Sequence, residues 1–314
     1  MEIIQLLKLS KKHDNVEDET ISVSFGRSLD DLQKAIQTHG ILSPILVRKA
    51  QNAWQIVSGQ ARWRCACQDF VPAIEISCDD KEALSIYIYE NQIRGFNPVE
   101  CAKIIYRLHY DLGFSLKEIS DSYACLIGIP SGVKILKDYL SILDLSDIIL
   151  KRIAQGKLPV KNAIMLFSFS REESIILMQW SDLLGWSGNK QRESFQWIWE
   201  ICKKEGCSVS ELLSKKEFQV FMEKEKPNPE LFRQELNRRK NPQLSSAQQA
   251  FEQILKEQNV SSVFSIKPSN SYEKNNIHLE WDCNSLEDFQ KGLDILKKLQ
   301  ESKAIEKLFQ ITAP

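Results

Sequence analysis

The sequence predicts an α+β protein that is predominantly helical, with a small mixed α/β N-terminal domain, a helical helix-turn-helix middle and a C-terminal strand-helix domain. Three observations carry this. Short apolar strand-like runs alternate with helical periodicity before Gly95, and from Asn97 to Glu225 the periodicity is helical throughout. Beyond the Pro227-Asn228-Pro229 break, two strand-like runs and two helical ones return. The expected boundaries are 1–95, 96–170, 171–245 (a helical connector) and 246–314.

A chain of 314 residues is too long for one ordinary core, and 43% hydrophobic with 26% charged residues is the composition of a soluble globular protein. A formal net charge of −1 gives no global basic field, so any nucleic-acid contact must come from local patches. No apolar run reaches membrane-spanning length and the N-terminus lacks a basic start before an apolar core, so the expected location is the cytoplasm. The eight cysteines, Cys65-x-Cys67 and the Cys202/Cys207 pair among them, lack zinc-ligand spacing and read as reduced thiols. The four histidines are scattered.

In chain order, Glu2 to Leu7 reads as a strand, followed by a charged loop through Asp14, Glu17, Asp18 and Glu19. Leu29, Leu32, Ala35 and Ile36 repeat at helical spacing, and Gly40 stands where a left-handed cap ends the helix. Pro44 to Arg48 reads as a strand opened by proline. Trp54 to Ala66 then reads as strand, small-residue turn at Ser58-Gly59, and helix start. Unpaired N–H groups at a helix start, a glycine that permits close approach and a nearby arginine make an anion cradle. Arg62 and Arg64 are the candidate clamps, because Trp63, Ala66, Cys67 and Phe70 form the inward stripe and leave Gln60, Arg62 and Arg64 off it.

Ala73 to Ser77 reads as a further strand, and a helix from about Lys81 ends in Glu90-Asn91-Gln92-Ile93-Arg94, closed by Gly95. A carboxylate, an amide and a guanidinium this close can hold a divalent ion and the phosphates it bridges; an isolated pentad of this kind is also an ordinary polar helix end. Asn97-Pro98-Val99-Glu100 is a helix start, with Asn97 as cap and Glu100 reaching back, and that helix is expected to run to Gly113. Ser115 to Glu118 is a capping box for a short second helix, and Pro130-Ser131 precedes a third through Lys134, Lys137, Leu140 and Leu143. Short helix, turn and longer helix suggest a helix-turn-helix in which Ser131, Lys134 and Lys137 meet DNA, although Asp138 and Asp144 dilute the charge.

Helices continue from Ser146 through about Glu225, with Trp180, Trp186, Trp197 and Trp199 as packing residues. Arg238-Arg239-Lys240 is either a phosphate contact or a plain helix end. A helix from Ala247 to Gln258, a strand Val263–Lys267, a turn through Asn270 and Asn275-Asn276, a strand Ile277–Trp281 and a helix Leu286–Leu299 complete the chain. Two strands and two helices bury too little surface alone, so a homodimer is expected through this segment.

Gly40 to Arg48, then Ser58 to Ala66, then Glu90 to Arg94 followed by Asn97-Pro98, resembles in order and spacing the ParB chromosome- and plasmid-partition family. The C-terminal strand-turn-strand-helix, with Ile266-Lys267-Pro268 and Ile277 to Glu280, is similar to that family's dimerisation domain. The resemblance implies a sulfiredoxin-like domain that binds CTP and Mg2+, a helix-turn-helix that reads a centromere-like DNA site, and a dimer that closes as a clamp, with a ParA-type ATPase as a further partner. It implies a cytoplasmic, nucleoid- or plasmid-associated protein. Carried over, Ser43, Pro44, Ser58, Gly59, Gln60 and Arg62 would contact the nucleotide, joined by Arg64, Asn91 and Arg94, with Glu90 and Asn91 at the metal.

Three departures from the family pattern matter. Where the family reads Gly-Glu-Arg-Arg, this chain reads Gly59-Gln60-Ala61-Arg62, and an amide cannot act as the general base, so CTP hydrolysis is expected to be weak or absent. Ala61 removes a charge-assisted hydrogen bond to phosphate, which weakens binding by about 1.5–3 kcal/mol or roughly tenfold to a hundredfold in affinity. The connection from Ser122 through Ile129 is longer than the family's, and Pro130-Ser131-Gly132 replaces its basic, serine-rich helix start. Two alternative readings remain: a dimeric interaction adaptor without nucleotide switching, and a phosphotransferase or sulfinic-acid reductase on the same fold. The reductase requires a cysteine in the phosphate turn, where Gln60 stands.

Overall fold

The computed structural model describes residues 2–17, 19–223, 227–257, 265–268 and 276–312. The chain divides into two compact units, Met1–Met178 with Ser187–Arg192, and Gln179–Trp186 with Glu193–Pro314.

The first unit holds a five-stranded mixed sheet built from β1 (Glu2–Ser10), β2 (Val16–Glu17), β3 (Ile45–Ala50), β4 (Ala53–Ser58) and β5 (Phe70–Ser77). Its order is β1-β5-β3-β4-β2. β1 runs antiparallel to β5, β3 parallel to β5, and β3 antiparallel to β4 through the tight Gln51-Asn52 turn. β2 pairs parallel to β4 within what reads in the sequence as a charged loop. Two residues are below the reach of any periodicity argument, which is why it is invisible there.

Three helices complete the N-terminal part: α1 (Asp30–His39), α2 (Gln60–Cys65) and α3 (Asp80–Asn91). Gly40 ends α1 as expected, at φ 72° with its N–H on the Ile36 carbonyl. α2 is shorter than the stripe Trp63, Ala66, Cys67, Phe70 implies: Phe70 opens β5 and is 57% exposed, so it has no place on a buried helical face. Eight β5 residues, including Phe70 opposite Ser10, are fixed by pairing with β1, and this long-range ladder overrides the local helical spacing. α3 starts on a capping box of Asp79 and Glu82 and stops at Asn91, so Arg94 sits in the following turn, which Gly95 closes at φ 71°.

α4 (Pro98–Tyr106) begins on the expected Asn97–Glu100 capping box but gives way to a π-helical turn at Arg107–Asp111 before Gly113. α5 (Leu116–Ser122) opens on the Ser115–Glu118 box, and α6 (Val133–Ser141) follows after a connection that buries Ala124, Ile127 and Ile129. One core joins the sheet to these helices: Val57 and Ile76 from the sheet, Leu84, Tyr87 and Ile88 from α3, Ile104 and Ile105 from α4, Ile119 from α5 and Leu136 from α6. The other sheet face packs Ile45, Val47, Ile56 and Val71 against Trp63 of α2. α7 (Asp147–Ala154) and α8 (Val160–Met165) follow.

α9 (Arg171–Leu183) and α10 (Gly188–Glu205) each contribute residues to both units. In the second unit α11 (Val209–Leu213), α12 (Lys216–Met222) and α13 (Pro229–Lys240) surround Phe232, whose ring meets Trp180, Trp186, Phe218 and Phe221 at centroid distances of 5.1–5.4 Å. Trp197 lies under the Arg233 and Lys240 cations, and Trp199 under Lys203. The tryptophans are therefore packing residues, as the sequence suggests. Arg238, Arg239 and Lys240 are each ion-paired, with Glu235, with Glu205 and Glu217, and with Glu200, so this cluster is a neutralised helix end.

The C-terminal segment comprises α14 (Pro242–Glu257), β6 (Ser265–Pro268), β7 (Ile277–Glu280), α15 (Leu286–Glu301) and α16 (Ala304–Thr312), the strands pairing antiparallel. Phe251, Ile266, Leu299, Ala304 and Leu308 form its core. α16 lies beyond the last helix the sequence predicts. Lys303, at φ 55°, marks the break between it and α15. Asp18, the strand residues Val263 and Phe264, and the turn residues Asn270 and Asn275 lie outside the described residues.

Candidate functional site

The strand–turn–helix junction at Ser58-Gly59 is built on a glycine that no other residue can replace without cost. Gly59 has φ +103°, and a Cβ there would lie 2.7 Å from Ile45 Cγ2. Chain and β3 thus touch at this point, and α2 departs from it with the Trp63 N–H on the Gly59 carbonyl at 3.0 Å.

Beside this junction lies a cleft of about 360 Å³. Its walls are the segment Ser22–Leu29, the start of α2, and the end of α3 with the turn beyond it. Four arginines line it, Arg27, Arg62, Arg64 and Arg94, against one carboxylate, Glu90. A concave site with that balance is built for a polyanion.

Each arginine is held differently. Arg62 donates through Nη1 to the Ser43 and Pro44 carbonyls at 2.9 and 2.8 Å. Burial lowers its pKa and the nearby Glu90 charge opposes this, the balance of a guanidinium held out of water without a full carboxylate partner. Arg64 reaches Glu19 at 3.4 Å. Arg94 lies 3.5 Å from Glu100 and over the Phe96 ring. Arg27 is the best anchored: Nε donates to Glu100 Oε1 at 2.8 Å, and Nη2 to Oε2 at 2.5 Å and to the Gly95 carbonyl at 2.8 Å.

Glu100 is fully buried, and it also accepts from the Phe25 and Asn97 N–H groups at 3.3 and 3.0 Å. Burial alone would push its carboxyl pKa up, but the Arg27 hydrogen bond, the Asn97 N–H and the Arg94 and Arg27 charges outweigh that and hold it below the ordinary value. One carboxylate therefore ties the Phe25–Arg27 wall, the turn after α3 and the start of α4 together. The sequence shows Glu100 only as a capping residue, and Arg27 goes unnoticed in it. The available signal is Phe25-Gly26-Arg27-Ser28 directly before α1, a left-handed glycine and a cation at a helix entrance.

Among the sequence-predicted residues, Ser58, Gly59, Gln60, Arg62, Arg64, Glu90, Asn91 and Arg94 all line the cleft. Ser43 and Pro44 are not among the lining residues; their carbonyls hold the Arg62 guanidinium instead. Gln60 is only 5% exposed and its Nε2 donates to the Ile56 carbonyl at 2.8 Å, so the side chain is folded back onto β4 rather than standing free off the helix stripe. Asn91 Nδ2 donates to the Tyr87 carbonyl at 2.8 Å, which leaves its oxygen as the end for a ligand. Among the described residues no three His, Cys, Asp or Glu side chains come together as a metal site. Glu90 and the Asn91 oxygen fit a Mg2+ that arrives with phosphates, since that ion keeps most of its shell in water and phosphate oxygens.

No cysteine lines the cleft. Burial pushes the Cys101 thiol up to about 12 and raises the Cys65 pKa as well, so neither is a thiolate near neutral pH. Ser131, Lys134 and Lys137 are exposed at and just after the entrance of α6, whose opposite face buries Leu136. They are not among the cleft residues.

Residues 2–92 match the family model of the ParB N-terminal domain. Over those residues the chain is similar to the ParB N-terminal domain family. A probable chromosome-partitioning protein ParB of Pseudomonas putida is 28% identical over 141 residues, 43% of this chain and 47% of that protein. A nucleoid occlusion protein of Lysinibacillus sphaericus is 30% identical over 144 residues, 45% of this chain and 47% of that one. The chain thus spans about half the length of these curated relatives. A C-terminally truncated ParB of Caulobacter crescentus, solved complexed with CTP-gamma-S, is 24% identical, with a TM-score of 0.26 over 55% of this chain and 92% of that one. The ParB N-terminal domain takes in the β4–α2 junction and Glu90-Asn91 and stops short of Arg94, Glu100 and α6.

Proposed function

We propose that this chain is a ParB-like DNA-binding protein whose N-terminal cleft holds CTP with Mg2+, and that it acts as a dimeric clamp in plasmid or chromosome partition or in gene regulation. The observation that carries the reading is the set of four arginines and one carboxylate converging on the glycine junction of a ParB N-terminal domain. In this reading Arg62, pre-set by two carbonyls, and Arg94 take the phosphates, Arg27 fixes the wall, and Glu90 with Asn91 holds the ion. Bound Mg2+ would neutralise phosphate charge and supply Lewis acidity. The segments 1–95, 96–170, 171–245 and 246–314 act as nucleotide, DNA-binding, connector and dimerisation regions, and a ParA-type ATPase is a further candidate partner. In this reading the protein is nucleoid- or plasmid-associated; no helix among the described residues is long and apolar enough to cross a membrane.

Hydrolysis is weak or absent in this reading. Gln60 takes up no proton near neutral pH, and its amide is already committed to the Ile56 carbonyl. The same two residues, Gln60 and Ala61, favour the second reading, a dimeric adaptor without a nucleotide switch. Retention on DNA across a salt gradient separates the two: a clamp precursor loses affinity steeply as salt rises, and Lys134→Ala with Lys137→Ala lowers the slope by about 1 for each phosphate left unneutralised. Retention that is flat with salt and indifferent to both lysines would favour the adaptor.

A further inference from the structure

α2 starts without the usual anchor. It is six residues long, well below the length at which a helix holds itself, and its N-cap is Gly59, which has no side chain to cap it. The strand before it is interrupted as well: the β3–β4 register slips between Leu46 and Val47, so Val57 has no partner on β3. Gln60 spans both defects. From the first position of α2 its Nε2 donates to the Ile56 carbonyl at 2.8 Å and approaches the Val57 carbonyl at 3.4 Å, and the residue is almost fully buried. Both neighbours are acceptors, so the end of the side chain that faces β4 has to be a donor. Trp63 packs the inner side of α2 against the sheet, but that contact is apolar and non-directional. The directional contact is the Gln60 amide.

We propose that Gln60 is a positioning residue: its amide ties the first turn of α2 to the end of β4 and so sets where Arg62 stands in the cleft. The guanidinium end of Arg62 is fixed separately, by the Ser43 and Pro44 carbonyls. Its backbone end is fixed by Gln60, two residues earlier on the same turn. With both ends held, the side chain keeps one placement and presents its remaining N–H groups to the cleft. The amide at this position thus has a task of its own, besides being no general base. The tether stands on the geometry alone, and the inference rests on the nucleotide reading only where CTP affinity reports on it.

The test uses the full-length chain with Gln60→Met, which keeps the length of the side chain and removes the donor. Amide hydrogen exchange is followed at Trp63 and Ala66, whose N–H groups bond the Gly59 and Trp63 carbonyls, and at Val47 and Val71 in the sheet core for reference. The expected result is exchange about fivefold faster at Trp63 and Ala66 with the sheet residues unchanged. Affinity for CTP with Mg2+ is expected to fall about tenfold. In an Arg62→Lys background the same substitution should cost less than about twofold, because a lysine is a point charge that does not depend on the placement a guanidinium fork needs. Unchanged exchange at Trp63 and Ala66, faster exchange spread equally over the sheet, or an equal loss of affinity in the two backgrounds overturns the proposal. If the native chain itself binds no CTP, the nucleotide reading fails on its own account and exchange at Trp63 and Ala66 decides the tether.

Discussion

Glu100 shows how a single buried charge organises the cleft. Removing one member of a buried, hydrogen-bonded ion pair costs about 3–5 kcal/mol because the other charge is left behind. Arg27→Met is accordingly expected to destabilise the fold by that order, measured by urea unfolding at neutral pH, and Glu100→Gln by a similar amount. The pH dependence has a definite sign. The folded-state pKa of Glu100 lies below its ordinary value, so this contribution is present above about pH 4.3, the unfolded carboxylate value, and is lost as pH falls through the folded one. Glu100→Gln should flatten that acid limb. At Gly59, a Cβ meets Ile45 at 2.7 Å in a left-handed backbone, so Gly59→Ala is expected to cost about 1–3 kcal/mol in a thermal melt. Gly59 is legible in the sequence because a small-residue turn before a helix has a local signature. The Arg27–Glu100 pair is not, since its members are 73 residues apart and only the fold brings them together.

Elements with local start signals are legible in the sequence, and those fixed by distant pairing are not. The capping boxes at Asn97–Glu100 and Ser115–Glu118 are where the sequence places them, because the cap and its partner are three residues apart and need no tertiary help. α2, by contrast, ends at Cys65 and surrenders Phe70 to β5, because pairing with β1 outweighs an amphipathic spacing of four residues. β2 is two residues long, too short for periodicity to catch, whereas α16 carries helical spacing at Ile305, Leu308 and Phe309 but follows α15 after only Ser302 and Lys303, with no glycine or proline to mark the break. At this scale α6 is open to direct experiment. Its exposed face carries Lys134 and Lys137 while Leu136 anchors the other, so Lys134→Ala with Lys137→Ala should weaken DNA retention with no more than about 0.5 kcal/mol change in stability, the usual range for surface substitutions. A drop in stability with unchanged retention would place these lysines in a structural role.

For the whole molecule, the small C-terminal core of Phe251, Ile266, Leu299, Ala304 and Leu308 leaves Leu286, Phe289 and Leu293 of α15 exposed at helical spacing. Covering that stripe with a second copy supplies the buried surface that two strands and a few helices lack. In the proposed dimer, Leu293→Glu is therefore expected to shift the chain toward monomer by light scattering; an unchanged mass would move the interface elsewhere. A dimer whose cleft is filled but cannot hydrolyse its nucleotide would be a long-lived clamp, and this links the cleft to DNA. That link depends on the cleft binding CTP. The most direct measurement is calorimetric titration of the purified protein with CTP and Mg2+, with ATP and GTP as competitors and Arg62→Ala as the comparison. The expected result is selective CTP binding that Arg62→Ala abolishes while its thermal melt stays native. No heat with any nucleotide, with or without DNA, or binding that ignores Arg62, would contradict a CTP-dependent clamp.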